Sequence, residues 1–274
     1  MHPVYRLKEF RVMDLLRKTH SAKPDMLSTV MSTDLHLSIT PLKITEIPSE
    51  DSIIASGQAL LDSATSWKHG KTYQKNTVRT LSRAKGPRDG AAWHCRVSEH
   101  PPGDATFDEF WSKLGVDKAE NEMQFIPDIK KATFPRVFTV VQTVHLSETS
   151  PKTGIIVSVP VDLTAPGSED LAKLEEKGVK GRYVSVERLT ELDNGNVEWR
   201  MATSSTPGGK IPQFVAESSM ASTISHDVTH FLHWFHSIRA NPTPATTDES
   251  APAATADVHA STAANEAVSN AAGA

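Results

Sequence analysis

Three histidines and an aspartate stand one helical turn apart near the end of the chain. His226, His230 and His233 fall at i, i+4 and i+7, with Asp227 beside the first and His236 just beyond the last. Side chains at those spacings share a helix face, and imidazole nitrogens so placed are the donor set a divalent metal takes. The residues between them favour a plainer reading. At about 100° per residue, Ile224, Val228, Phe231, Leu232, Phe235 and Ile238 fall within an arc of roughly 120°, and the three histidines centre opposite that arc. If the apolar stripe lies on a sheet, the histidines face water, without the dry surroundings and supporting hydrogen bonds of a metal site. The expectation is a solvated histidine face and no metal.

Other chemistry is sparse. Cys95 is the one cysteine, so a cysteine-rich zinc site and an internal disulfide are both excluded. The nucleophile-elbow pattern, the His-Glu-x-x-His zinc pattern and the glycine fingerprint of dinucleotide sites are missing. Gly208-Gly209-Lys210 resembles the end of a phosphate loop, but Ile211 follows where Ser or Thr would hold magnesium. The expectation is a protein that is not an enzyme and carries no cofactor.

The elements that must position any site are clearer. Pro48-Ser49 opens a helix with Ile53, Ile54, Leu60, Leu61, Ala64 and Trp67 on one face, ending by Gly70. Lys71 to Leu81 is expected as one extended segment. Trp93, Cys95 and Val97 alternate with His94, Arg96 and Ser98, the period of a strand with one buried face. Thr106 and Glu109 form a capping box before a short helix whose Phe107, Phe110, Trp111 and Leu114 make an apolar stripe. Asn121 to Ile126 is expected as a short strand, Arg136 to His145 and Gly154 to Asp162 as strands covered on both faces. Thr164 to Lys180 is a loop or a single helical turn.

The most informative stretch runs from Arg182 to Ile238. Two alternating strands flank Asp193-Asn194-Gly195-Asn196, a strong hairpin signal. A Pro207-Gly208-Gly209-Lys210 linker leads into the long amphipathic helix after Ile211-Pro212. Trp199 and Met201 share one face of the returning strand, as sheet core or as the wall of a ligand cavity. Arg182, Glu187, Arg188, Glu198 and Arg200 put both charge signs on the hairpin, as cross-strand pairs or as a buried arginine meeting a polar headgroup.

Composition bounds the partners. Of 274 residues, 38% are hydrophobic and 23% charged, and the net charge is −4. With a pI near 6.3 there is no basic footprint for nucleic acid. A lone cysteine suits a reducing, cytoplasmic compartment. No apolar run approaches the ~18 residues of a membrane span, so membrane contact is at most transient. The reading divides the chain into a poorly ordered leader (1–30), one domain (31–239) and a disordered Ala/Thr/Ser/Pro-rich tail (240–274). Arg6, Arg11, Arg17 and Lys18 allow a mitochondrial presequence, against which Glu9, Asp14 and Asp25 count.

Gly181 to Arg188, Val197 to Ser205, Pro207 to Pro212 and Ser225-His-Asp-Val-x-x-Phe-Leu-x-Trp234 together resemble a fungal START-like family whose domain has no assigned function. Trp93 to His100, the Phe107–Trp111 helix and Glu120-Asn-Glu-Met123 agree with it. The resemblance implies an α+β helix-grip fold, in which a curved antiparallel sheet wraps a long C-terminal helix with an apolar cavity between them. It implies non-enzymatic binding or transfer of a lipid, sterol or other hydrophobic small molecule. By position, Trp199, Met201, Phe214, Ile224 and Phe231 are the expected cavity neighbours. Between Met123 and Val137 the chain is shorter than the family pattern, and a strand missing there would leave a sheet edge unpaired. The alternative function is a protein-interaction module without a ligand cavity.

Overall fold

The computed structural model describes residues 5–11, 35–126, 136–164, 166, 168–173, 175 and 177–241. The chain begins with strands β1 (Tyr5–Arg11) and β2 (Leu42–Lys43), then helix α1 (Glu50–Ser63). Strands β3 (Lys68–Tyr73), β4 (Val78–Arg83) and β5 (Trp93–His100) follow, then short helices α2 (Phe107–Leu114) and α3 (Lys118–Phe125). Strands β6 (Arg136–Ser147) and β7 (Thr153–Asp162), helix α4 (Glu169–Ala172) and strand β8 (Val179–Lys180) precede the hairpin β9 (Arg182–Glu191) and β10 (Val197–Thr206). Helix α5 (Gln213–Ala240) ends the described fold. The expected tail from Pro242 on lies outside the described residues, as do Met31 and the short segment 127–135.

One sheet runs β1-β6-β7-β9-β10-β5-β4-β3. It is mixed, not purely antiparallel as expected: β1 and β8 pair with β6, and β2 with β7, in parallel. The segment read as a leader thus contributes β1, whose Tyr5–Arg11 pairs with Arg136–Gln142. That pairing covers an edge of β6 that would otherwise present open backbone groups.

Three local expectations change. Lys71 to Leu81 is a hairpin, not one extended segment. Gln74, Lys75 and Asn76 take positive φ of 52°, 55° and 71° and reverse the chain between β3 and β4. The first helix ends at Ser63, and Gly70 lies within β3. Asn121 to Ile126 is helical: α3 follows Asp117, whose backbone is left-handed at φ 46°, and Asn121 donates its amide to Lys113 O and Val116 O. A four-residue polar stretch such as Ala119–Glu122 has no strand period to override that local capping.

Other expectations hold. Ser49 caps α1, accepting from Ser52 N at 3.3 Å. Thr106 and Glu109 close a capping box, with Thr106 N donating to Glu109 Oε2 at 2.8 Å. Gly195 takes φ 79° at the hairpin turn, a conformation open to glycine at little cost.

The centre of the sheet is covered on both faces. On one, α1 covers β6, β7, β9 and β10 and packs Ile53 and Leu61 with Val157, Val184, Val186 and Trp93. Gly57 makes this approach close: a Cβ there would meet Val157 Cγ2 at 2.6 Å. On the other face α5 crosses β3, β4 and β5 and touches α3. Its Val228, Phe231 and Phe235 join Phe110, Leu114, Phe125 and Trp199 in a second core. β5 is therefore covered on both sides, whereas its alternation predicts one exposed face.

Candidate functional site: the grip interior

The register fixes what the sheet presents to α5, because directly paired residues share a face. Three rows cross it. One contains Val78, Ser98, Trp199 and Leu189. The next contains Thr80, Arg96, Met201, Glu187 and Ile156. The third is polar throughout: Ser82, His94, Thr203, Ser185, Ser158 and Gln142. The interior thus grades from aromatic to charged to hydroxyl-rich, and the expectation of a wholly apolar cradle is corrected.

The aromatic end is packed. The Phe231 ring lies 5.2 Å from Trp199, 5.2 Å from Phe110 and 5.4 Å from Phe125. His100 closes this end, its ring 5.3 Å from Phe110 and its Nε2 2.8 Å from Ser98 Oγ.

The charged row carries the main electrostatic feature. Arg96 is 1% exposed and Glu187 4%. Glu187 Oε1 accepts from Arg96 Nη2 at 3.2 Å and from Trp199 Nε1 at 2.8 Å. Its Oε2 accepts from Lys118 at 2.6 Å, and Lys118 also reaches Glu122 at 2.6 Å. The Arg96 guanidinium lies 4.0 Å over the Trp199 ring, a cation–π contact. Burial works against the charge on Glu187, but Lys118 and Arg96 outweigh it and hold the carboxyl below its usual range. Lys118 is likewise desolvated, yet Glu122 and Glu187 raise it. Arg96 Nε and Nη1 remain buried without a hydrogen-bond partner.

Asp227 faces this group from α5. Burial pushes its carboxyl up to about 7, with Glu122 and Glu187 adding to the rise and Arg96 and Lys118 opposing it. Folded, Asp227 holds its proton more tightly than the unfolded chain does at an ordinary value of about 3.9. Its stabilising contribution is full below about pH 4 and is lost as the pH rises through about 7. Asp227→Asn should therefore gain stability relative to the parent between pH 5 and pH 8 in urea titrations; a difference that stays constant with pH would count against this assignment.

The five expected cavity residues divide. Trp199, Ile224 and Phe231 are buried, at 1%, 4% and 0% exposure. Met201 is half-buried in the charged row, between Arg96 and Glu187. Phe214 is not brought in: it is 73% exposed. At about 100° per residue it has the phase of Leu232, at the edge of the apolar stripe, so the wheel alone does not set it outward. His226 and His233 are exposed, as the wheel predicts, whereas His230 is half-buried. No metal-holding cluster occurs among the described residues.

Sequence reasoning missed Arg96 and Lys118, and read Asp227 only as a neighbour of the histidine face. The buried arginine sits on β5, not on the hairpin, although its partner Glu187 does. Arg200 instead pairs with Glu198 on its own strand, at 3.1 Å, and Arg188 with Asp62 at 3.1 Å. The missed signal was the polar register of β5, which faces α5.

With this geometry in hand, comparison places the chain. Residues 129–235 match a family described as a protein of unknown function, DUF3074. No curated protein matches. Among solved structures, the human StAR-related lipid transfer protein 5 superposes with a TM-score of 0.50 at 12% identity, over 69% of this chain and 96% of that one. Human STARD10 gives 0.46 at 10% identity, over 71% of this chain and 82% of its own. The first of these likenesses establishes the fold: the curved mixed sheet and C-terminal helix form an α+β helix grip of the START type.

Proposed function

We propose that the chain is a non-enzymatic binder or carrier of a hydrophobic small molecule that has one polar end, held between the sheet and α5. The observation that carries this reading is Arg96: two of its donors are buried inside the grip without a partner. A buried donor left unsatisfied costs about 1–3 kcal/mol, and an apolar core of the same shape would avoid that cost. A ligand hydroxyl, carbonyl or anionic oxygen at Arg96 would satisfy it, with the apolar body along Met201, Ile224 and Ile156. The human lipid transfer protein with the same fold supports a lipid-like molecule as the ligand class. Cytoplasmic residence, transient membrane contact and no nucleic-acid partner complete the proposal; no described helix is long and apolar enough to cross a membrane.

A fluorescent sterol and a fluorescent phospholipid, titrated into the purified chain, test it. The parent is expected to bind one of them and Met201→Glu to lose that binding, since a carboxylate at 201 occupies the Arg96 donors. Unchanged binding by Met201→Glu would remove Met201 from the site, and no binding of either probe by the parent would count against the proposal. A protein-interaction module is the second reading. Ile211, Phe214 and Val215, exposed by 36%, 73% and 45%, favour it.

A further inference from the structure

The contact between α3 and α5 closes one side of the grip over the charged row, and Asp227 lies within it. Phase and ring contacts set Asp227 on the edge of α5 that meets α3. Trp234, seven residues on and about 20° away on the wheel, lies 5.4 Å from Phe125 of α3. Phe231, one turn on, lies 5.4 Å from the same ring. The charged and titratable groups around Asp227 come from each element packed there. β5 supplies Arg96 and, one row further, His94; β9 supplies Glu187; α3 supplies Lys118 and Glu122; α5 itself supplies His230. β3 adds Tyr73 beside Val78 and, at its far end, Lys68 beside Ser82. Burial holds the His94 imidazole below its usual range, with Glu217 opposing.

Arg96 and Lys118 bring two positive charges and Glu187 and Glu122 two negative ones, joined through Lys118, which lies 2.6 Å from each carboxylate. This set is balanced while Asp227 keeps its proton. Ionised, Asp227 adds a negative charge beside Glu122 and Glu187, in surroundings that screen it poorly. Asp227 is half-buried, so solvent can take that proton without the fold opening first. α5 itself is tied at both ends. Gln213 Nε2 donates to Ser205 O at 2.9 Å, and Glu217 Oε1 accepts from Ala92 N at 3.2 Å. At the other end His236 Nε2 donates to Asp104 O at 2.9 Å and Arg239 Nε to Glu109 Oε1 at 3.2 Å. α3 is eight residues long and is joined to the interior by Lys118 and Phe125, so it is the side that yields. We propose that the α3–α5 contact is a proton-operated gate to the Arg96 interior, shut while Asp227 is protonated and loosened when it ionises. As a route for ligand the gate rests on the function proposed above; the loosening itself does not.

Amide hydrogen exchange of the full-length chain, read by mass spectrometry at pH 6 and pH 8 and corrected for intrinsic rates, tests the proposal without a ligand. The amides of Asn121 to Ile126 are expected to be less protected than those of β9 and β10, since the gate opens without unfolding the sheet. Their protection should fall about tenfold from pH 6 to pH 8, the linkage of a carboxyl that titrates at about 7 when shut and at about 3.9 when open. Asp227→Asn should abolish that fall. If Asp227→Asn does not fold, Glu122→Gln takes its place: it removes a facing negative charge and should move the loosening to lower pH. Protection of α3 equal to that of the strands at both pH values, or unchanged with pH, would overturn the proposal. So would a fall that persists in Asp227→Asn, which assigns the proton to His230 or another group, or one that Glu122→Gln leaves unmoved. Loosening in a chain that binds neither the sterol nor the phospholipid probe would remove the ligand reading and leave the switch standing; binding without loosening would do the reverse.

Discussion

Glu187→Leu is expected to cost about 3–5 kcal/mol of folding stability, read as the shift of a urea unfolding curve. Glu187 is the shared acceptor of Arg96, Lys118 and Trp199 Nε1. Its removal leaves Arg96 1% exposed with no anionic hydrogen-bond partner, and Lys118 with Glu122 alone. Neither cation can return to water without opening the contact between β5, α3 and α5. The cost comes from charges left behind rather than from the worth of the pair, so removing all three should restore much of it. The combination Arg96→Met, Lys118→Met and Glu187→Leu is expected to be closer in stability to the parent than Glu187→Leu alone. A loss below about 1 kcal/mol in the single variant would mean that the network relaxes to solvent.

Phe231→Ala is expected to cost a similar amount, about 3–5 kcal/mol, by a different route. Phe231 is fully buried and its ring contacts Trp199, Phe110, Phe125, Trp234 and Phe235. Those five rings come from β10, α2, α3 and α5, so a hole at 231 cannot be filled by moving one element. Phe214→Ala supplies the control on the same helix. Its ring is 73% exposed, and the substitution should change stability by no more than about 0.5 kcal/mol. Equal losses in the two variants would contradict the orientation of α5.

The contrast between these two phenylalanines marks what the sequence could show. The stripe from Ile224 to Ile238 repeats over four turns, and its phase alone set Phe231 inward and His226 and His233 outward. Phe214 shares the phase of Leu232 at the edge of that stripe, so its exposure was not legible from the wheel. The hairpin at Gly195 was legible because few residues accept its backbone, and the capping box at Thr106 because it is a local exchange of hydrogen bonds. What escaped depends on distant chain. Arg96 alternates with apolar residues as an exposed residue would, and only the placement of α5 over β5 buries it. Lys118 belongs to a helix whose polar composition predicts a surface, yet it reaches Glu187, 69 positions away. The strand at Tyr5–Arg11 has no independent signal, since its partner on β6 lies more than a hundred residues downstream.

The interior also changes which ligand the proposed function calls for. An apolar stripe over an apolar sheet would define only a greasy slot. The observed rows place an ionic network between packed rings and a hydroxyl-rich strip, so the ligand best matched to it is amphipathic. Native mass spectrometry of the purified full-length chain, followed by organic extraction of the same sample, tests this most directly. The account predicts a bound hydrophobe with one polar end, released on extraction, or a member of a lipid panel that raises the melting temperature of the apo chain. A chain that carries no such molecule and whose melting temperature no lipid in the panel raises would contradict it.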